Sequence, residues 1–313
     1  MKYNEYIKGS PNISEIGLGA WQLGKSSDWE TMSDNEAIEL VHKSLDLGIN
    51  YFDTAPNYGH GTSEERLGIA LKITDRNKIV INTKFGHNNS GKTNFESDNI
   101  RGSVEGSLKR LQTEYLDSIL FHNPPFSYLD GNSNPHYEVL ERLIEEGKIL
   151  GYGASLDTFE EMQKFISTTN GKVIEAFFNI IHQDAKRAFK LAKDNDVRIV
   201  VKIPLDSGWL SGKYSAESTF NDIRERWSKE DIQTRARLVS QIKEIIGNQN
   251  NIAQTALSFC LAYDAVSTVI PGCKNLKQLN ENIESSNKSI SKKLLKKLEY
   301  FYENEIDKLN IPW

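Results

Sequence analysis

The chain has 313 residues, 38% of them hydrophobic and 26% charged, and 38 Lys+Arg against 43 Asp+Glu leave a net charge of −5. This balance excludes a disordered or fibrous protein, and a mildly acidic chain with no basic tract excludes nucleic acid as the main partner. No apolar run approaches the roughly 18 residues of a membrane span, Met1–Tyr6 has no apolar signal region, and Cys260 and Cys273 make neither a disulfide framework nor a CxxC pair, so the expectation is one cytoplasmic domain over 1–313 with free thiols.

Along the chain, Tyr3–Ser14 precedes the first long apolar run and reads as a hairpin. Short β-branched runs then recur at Ile16–Trp21, Ile49–Asp53, Ile79–Phe85, Leu116–His122, Ile149–Ser155, Val173–Phe178, Arg198–Ile203 and Val266–Ile270. Runs of this kind are strands buried on both faces. Helical periods fill the gaps. Ser33 and Glu36 form a capping box ahead of Ala37, Leu40, Val41 and Leu45, and Gly48 closes that helix. Asp98 is expected to cap the helix of Ile100, Val104, Leu108 and Leu111, and Gly147 to stop that of Tyr137, Leu140, Leu143 and Ile144. Asp157 with Glu160 opens the next; Ala185–Ala192 and Ala253–Leu261 mark two more. Lys-rich Ser291–Leu309 adds an amphipathic C-terminal helix with a solvated basic face.

Strands alternating with helices predict a parallel α/β sheet with right-handed crossovers. Eight such units close into a (β/α)8 TIM barrel without leaving an edge, its floor plugged by the N-terminal hairpin and its wall extended by C-terminal helices. A doubly wound open sheet needs G-x-G-x-x-G after the first strand. Gly17-Leu18-Gly19 is followed by Gln22 at the third glycine's place, and Gly151-Tyr152-Gly153 by Leu156. The barrel is therefore preferred. In it, the long segments His87–Ser97, Asn123–Pro135 and Asp206–Asp231 lie on the C-terminal face, where active sites form.

Four polar residues stand at successive strand ends: Asp53, Tyr58 five residues on, Lys84 and His122. Each alone has an ordinary reading, as a cap, a surface aromatic, a surface lysine or a core histidine. Together they compose a proton-delivery site. A phenol titrates near 10 on its own; a nearby ammonium lowers that value, a carboxylate holds the ammonium, and an imidazole orients a substrate oxygen. The set suits protonation of a carbonyl oxygen while something else attacks the carbon. None of the four donates hydride, so a nicotinamide must be supplied. A competing motif, Gly86-His87-Asn88-Asn89-Ser90-Gly91-Lys92-Thr93, matches a P-loop. It lacks the helix that should follow at once, since helical period resumes only near Asp98. The loops Ile203–Tyr214 and Ile270–Asn275 follow the last two strands, the usual phosphate site of such a barrel.

In order and spacing, Phe52-Asp53-Thr54-Ala55-Pro56-Asn57-Tyr58-Gly59, Thr83-Lys84-Phe85-Gly86, Leu120-Phe121-His122, Pro204–Tyr214 and Ile270-Pro271-Gly272 resemble the aldo-keto reductase family over essentially the whole chain. The resemblance implies NADPH-dependent reduction of an aldehyde or ketone, with NADH possible. It makes Tyr58 the general acid, Lys84 its tuner, Asp53 the partner of Lys84, and His122 the residue that orients the carbonyl. Ser155 would hold the nicotinamide carboxamide, with Trp21, Asp53 and Glu175 beside it. Leu205, Ser207, Gly208, Leu210 and Gly212 would wrap the pyrophosphate, and Gly272, Lys274, Gln278 and Asn282 the adenosine end. There are departures. Leu156 replaces the family's Asn after Ser155, Glu175 stands where Gln is usual (with Asn179 a second candidate), and Lys202 stands where a Tyr often stacks on the ring. Trp21, Trp29, Phe85, Phe126, Trp209 and Trp227 imply apolar walls around a small-molecule carbonyl substrate. A nicotinamide-binding redox sensor or partner-binding protein is the alternative, and the intact set of four argues against it. Substrate, direction and oligomeric state are not written in these motifs.

Overall fold

The computed structural model describes residues 1–25, 31–247, 251–309 and 311–312; Trp29, expected among the mouth aromatics, lies outside them. The sequence-predicted strands all form, most of them shorter than drawn. β1 (Tyr3–Asn4) and β2 (Ile13–Ser14) pair antiparallel. β3 (Leu18–Gly19), β4 (Tyr51–Asp53), β5 (Val80–Phe85), β6 (Ser118–His122), β7 (Tyr152–Leu156), β8 (Val173–Phe177), β9 (Arg198–Lys202) and β10 (Val266–Val269) form one parallel sheet in chain order. Its ends meet. Ile16 bridges Val269 and Gly19 bridges Gly272, Gly17 N donates to Val269 O at 2.8 Å, and Val269 N donates to Glu15 O at 3.0 Å. The sheet is thus a closed (β/α)8 barrel, which presents no free edge.

Helices cover the outside. They are α1 (Asp34–Asp46), α2 (Thr62–Leu71), α3 (Ser97–Leu111), α4 (His136–Glu145), α5 (Phe159–Thr168), α6 (Phe189–Asp194), α7 (Lys229–Ile246), α8 (Ile252–Cys260), α9 (Leu276–Glu284) and α10 (Lys292–Phe301). The Ser33–Glu36 capping box opens α1 as the sequence predicts. Two caps differ from expectation. Asp98 lies inside the first turn of α3, where it complements the helix dipole, and does not cap it. Thr158 with Glu161, one residue beyond the predicted Asp157–Glu160, forms the box of α5, because its extended backbone lets the hydroxyl accept from Glu161 N. The C-terminal segment buries Leu298, Phe301 and Ile306 and turns its lysines outward. Among the described residues no helix is long and apolar enough to cross a membrane, and both cysteines are free and buried.

Alternation along each strand divides the residues into two sets. Phe52, Ile81, Phe121, Ala154, Ile174 and Val201 join the outer core under the helices, while Tyr51, Val80, Leu120, Val173 and Val200 pack inside the barrel. Tyr6, Ile7 and Ile13 of the hairpin seal that inner cluster from below. Strands also crowd inside the barrel. An added Cβ on Gly153 would sit 1.9 Å from the carbonyl oxygen of Val173 on the neighbouring strand, whereas one on Gly102, in exposed α3, would meet nothing within 4 Å. Gly153→Ala is therefore expected to lower unfolding stability by about 1–3 kcal/mol, and Gly102→Ala to raise it by about 0.4–1 kcal/mol, both read from urea denaturation midpoints.

Candidate active site

Inward parity carries the polar residues to the upper rim. Asp53 lies opposite Asn82 in register, His122 opposite Ser155, and Ser155 opposite Glu175. Lys84 shares the inward parity of Val80 and Asn82 on β5 and is fully buried. Its ammonium donates to Asp53 Oδ1 at 2.6 Å and to the carbonyl of Thr54 at 3.1 Å, and lies 3.0 Å from Glu175 Oε2. Asp53 Oδ2 accepts from Asn82 Nδ2, Asn82 Oδ1 accepts from the Ser118 hydroxyl, and that hydroxyl meets Tyr6 Oη at 2.7 Å. A continuous buried hydrogen-bond chain thus runs from the hairpin plug up to the lysine.

Tyr58 reaches the same point by a turn. Gly59, His60 and Gly61 take φ of 58°, 57° and 97°, and a Cβ on Gly59 would lie 2.3 Å from the amide nitrogen of Lys25. Only glycine fits there. The Tyr58 ring stacks on Trp21 at 5.8 Å, faces the Lys84 ammonium at 5.3 Å and meets His122 edge-on at 5.9 Å. His87 packs against the other side of His122 at 5.1 Å. The four predicted residues therefore converge.

Burial, the largest influence, holds the His122 imidazole well below its usual range; the Lys84, His87 and Lys202 side chains add to it. His122 is neutral, and its Nδ1 is buried without a hydrogen-bond partner. The Tyr58 phenol behaves opposite to expectation. Burial raises it above its ordinary value and outweighs Lys84, while Asp53 and Glu175 push the same way. A lysine matched by two carboxylates offers less field to a phenol than the single ion pair read from the sequence. Between the two acids, burial and then Glu175 push the Asp53 carboxyl up to about 8. Glu175, despite burial, is held below the usual carboxylate range by Lys84 and Lys202. Asp53 and Glu175 thus share one ammonium, and of the two Asp53 is pushed toward its protonated form.

Above this cluster opens a cleft of about 1000 Å3. Of the residues expected to hold a cofactor, Trp21, Asp53, Ser155, Glu175, Leu205, Ser207, Gly208, Gly272, Lys274, Gln278 and Asn282 line it. Leu210 and Gly212 do not. Leu210 is fully buried in the core with its amide on the Leu205 carbonyl, and Gly212 turns the chain at φ 75° with its amide on the Trp209 carbonyl. Phe85, Trp209 and Trp227 are core residues too and Phe126 is exposed off the cleft, so Trp21 is the aromatic of that expected set found on the cleft wall among the described residues. Asn179 is spent elsewhere: its Nδ2 donates to the Ile203 carbonyl at 3.0 Å. That contact holds Ile203 at φ 54°, a costly conformation for a β-branched residue.

The loop that follows is anchored by a second buried ion pair. Arg235 Nε donates to Asp206 Oδ2 at 3.2 Å, with His182 Nε2 3.4 Å from Oδ1, and neither Asp206 nor Arg235 is exposed. Lys213, within the loop read as the phosphate site, also lines the cleft, as do Gln22, His87, Asn123, Arg224 and Lys277, which the sequence reading did not single out as cofactor contacts. Lys202 donates to Ser155 Oγ at 2.8 Å and Asn123 Oδ1 at 3.1 Å and pairs with Asp157 at 2.8 Å. The P-loop match forms a hairpin: His87 bridges Thr93, the Asn88 side chain accepts from Ser90 N and Lys92 N, and no helix begins before Ser97.

At the cleft wall, the buried Gln22 Oε1 beside Gly272 has no hydrogen-bond partner. Nearby, a Cβ on Gly19 would lie 2.7 Å from the Ile270 carbonyl oxygen. The volume sits at the top of the range for cofactor clefts.

The model of the aldo/keto reductase family matches residues 15–303. An NADH-specific methylglyoxal reductase of Escherichia coli is 27% identical over 301 residues, 89% of this chain and 91% of that protein. The NADP(+) aldo-keto reductase yakc of Schizosaccharomyces pombe is 28% identical over 317 residues, 95% and 90%. The holo form of an aldo-keto reductase from Bacillus halodurans, 24% identical, superposes with a TM-score of 0.81 over 99% of this chain and 100% of that one. The chain belongs to the aldo/keto reductase family, whose members carry out redox chemistry on carbonyls.

The raised Asp53 carboxyl has a signed consequence. An unfolded aspartate titrates near 4, so between about pH 4 and about pH 8 the folded state binds the extra proton. Stability from this group is complete at the acid end and falls as pH rises through that window. Glu175→Gln removes the like charge and is expected to flatten this slope, as measured by urea unfolding at several pH values.

Proposed function

We propose that this aldo/keto reductase is a cytoplasmic, single-domain enzyme that reduces a small aldehyde or ketone to the alcohol, using NADPH. The observation that carries this reading is the Lys84–Asp53–Glu175 ion cluster directly under Tyr58, with neutral His122 edge-on beside it, at the blind end of a cleft of dinucleotide size. When bound, the reduced nicotinamide supplies the hydride. Ser155 and Asn123 hold its carboxamide, Leu205, Ser207 and Gly208 cradle the pyrophosphate, and Gly272, Gln278 and Asn282 take the adenosine end.

The chain's own residues then manage the proton. Tyr58 Oη, a neutral phenol in its resting state, donates to the substrate oxygen as negative charge develops there. The Lys84 ammonium stabilises the phenolate that remains, which lowers the barrier because the ammonium is already in place in a dry site. Neutral His122 donates a second hydrogen bond to the same oxygen. Trp21 stacks on the phenol and keeps its rotamer fixed. At the outer end, Lys213, Arg224, Lys274 and Lys277 stand on the cleft wall, with Asp222 held on Arg224 and Glu281 4.0 Å from Lys277. Four cations against two acids favour a cofactor carrying an additional phosphate, which supports NADPH over NADH.

Tyr58→Phe is expected to lower kcat by about 10²–10⁴-fold while leaving cofactor affinity unchanged, followed by nicotinamide absorbance and by fluorescence titration; unimpaired turnover would remove Tyr58 from the mechanism. Lys274→Met is expected to weaken NADPH binding by about tenfold, the worth of one charge-assisted hydrogen bond, and to leave NADH binding unchanged.

A further inference from the structure

Glu175 is a charged group that proton delivery does not call for. It lies on the cleft wall, nearly buried, with Oε2 3.0 Å from Lys84 and Oε1 accepting from Ser155 Oγ at 3.1 Å. The groups facing it can be followed element by element. Lys84 of β5 is shared with Asp53 of β4. Lys202 of β9 bonds Ser155 Oγ at 2.8 Å, lowers the Glu175 carboxyl through its field, and is itself matched by Asp157 at 2.8 Å. His122 of β6 and Tyr58 are uncharged. Asp157 offsets Lys202 only in part, and Lys84 offsets one carboxylate. When both acids are ionised, the second carboxylate is surplus negative charge in a dry site.

We propose that Glu175 makes the blind end of the cleft bind the oxidised, cationic nicotinamide more tightly than the neutral reduced ring. This rests on the reading that the cleft takes a nicotinamide with its reactive ring beside Tyr58. The physical reason is local neutrality. A cationic ring supplies the charge that two carboxylates on one ammonium lack, and in a site shielded from water that attraction is strong. A neutral ring supplies nothing, and the two acids then relieve their repulsion by keeping a proton between them. Binding of the oxidised form therefore expels that proton, and its affinity rises with pH. Glutamine at 175 preserves the hydrogen bond from Ser155 and removes the surplus.

The test is a set of binding titrations of the intact protein with NADP+ and with NADPH, by calorimetry in two buffers of different ionisation enthalpy, for the wild type, Glu175→Gln and Lys202→Met. In the wild type, NADP+ is expected to release a proton on binding and NADPH to release none. In Glu175→Gln the preference for NADP+ over NADPH should fall by about tenfold or more, the proton release should vanish, and the pH dependence should flatten. Lys202→Met deepens the negative surplus, so the preference should rise. A preference that neither substitution moves, or proton release unchanged in Glu175→Gln, overturns the proposal while leaving the cleft assignment standing. Binding of neither nucleotide by the wild type instead overturns the cleft assignment, and this inference with it.

Discussion

A lysine ammonium sealed from solvent must be neutralised where it sits, because desolvating an unpaired ion costs far more than a fold of this size can spare. Lys84 is such a group, and much of the barrel interior is arranged around it. Asp53 and the Thr54 carbonyl accept its protons, Glu175 lies 3.0 Å away as a second acid, and Asn82, Ser118 and Tyr6 extend the network to the floor. The plug at the bottom and the chemistry at the top are therefore one polar structure, in which each member has little freedom to move. Networks of this kind are costly when incomplete and rigid when satisfied. Rigidity is what a proton donor needs if it is to meet its acceptor without reorganisation.

The outer half of the cleft repeats the device with different residues. Asp206 and Arg235, both fully buried, tie the loop after β9 to α7. Burial pushes the Asp206 carboxyl up, but His182 and Arg235 outweigh it and keep the acid below its usual range. The same loop contains Ile203, Asp206 and Ser207 at positive φ, conformations that persist only where the surroundings over-determine them. Its glycines make the turns, while the ion pair fixes where the turns lie.

Much of this could be read from the sequence. Alternating apolar runs and helical periods gave the barrel, since the two periods seldom interleave eight times for any other reason. Asp53, Tyr58, Lys84 and His122 were legible because each falls at a strand end, where parity and topology carry them to one rim. That Leu210 and Gly212 lie off the cleft wall could not be read because a loop has no period: which of its amides face a cleft and which close the loop's own turns depends on torsions no spacing reveals. The direction of the Tyr58 shift was missed for a related reason. The sequence paired Lys84 with one acid, and only the register of β8 against β7 brings Glu175 to the same ammonium. Arg224 was not singled out because a long polar loop places basic residues on every side, and Lys277 because it stands on the exposed first turn of α9.

The barrel's seam joins the two ends of the chain. Ile16 finds its partner in Val269, and the Asn4 side chain donates to the Ser267 carbonyl at 2.7 Å. During synthesis the first strand therefore waits for the last, because the residues that complete its edge emerge after almost everything else. Until then the nascent sheet has two raw borders. A ribosome stalled late on this message would expose a nearly finished but unsealed vessel, and chaperones would meet it at its most adhesive moment.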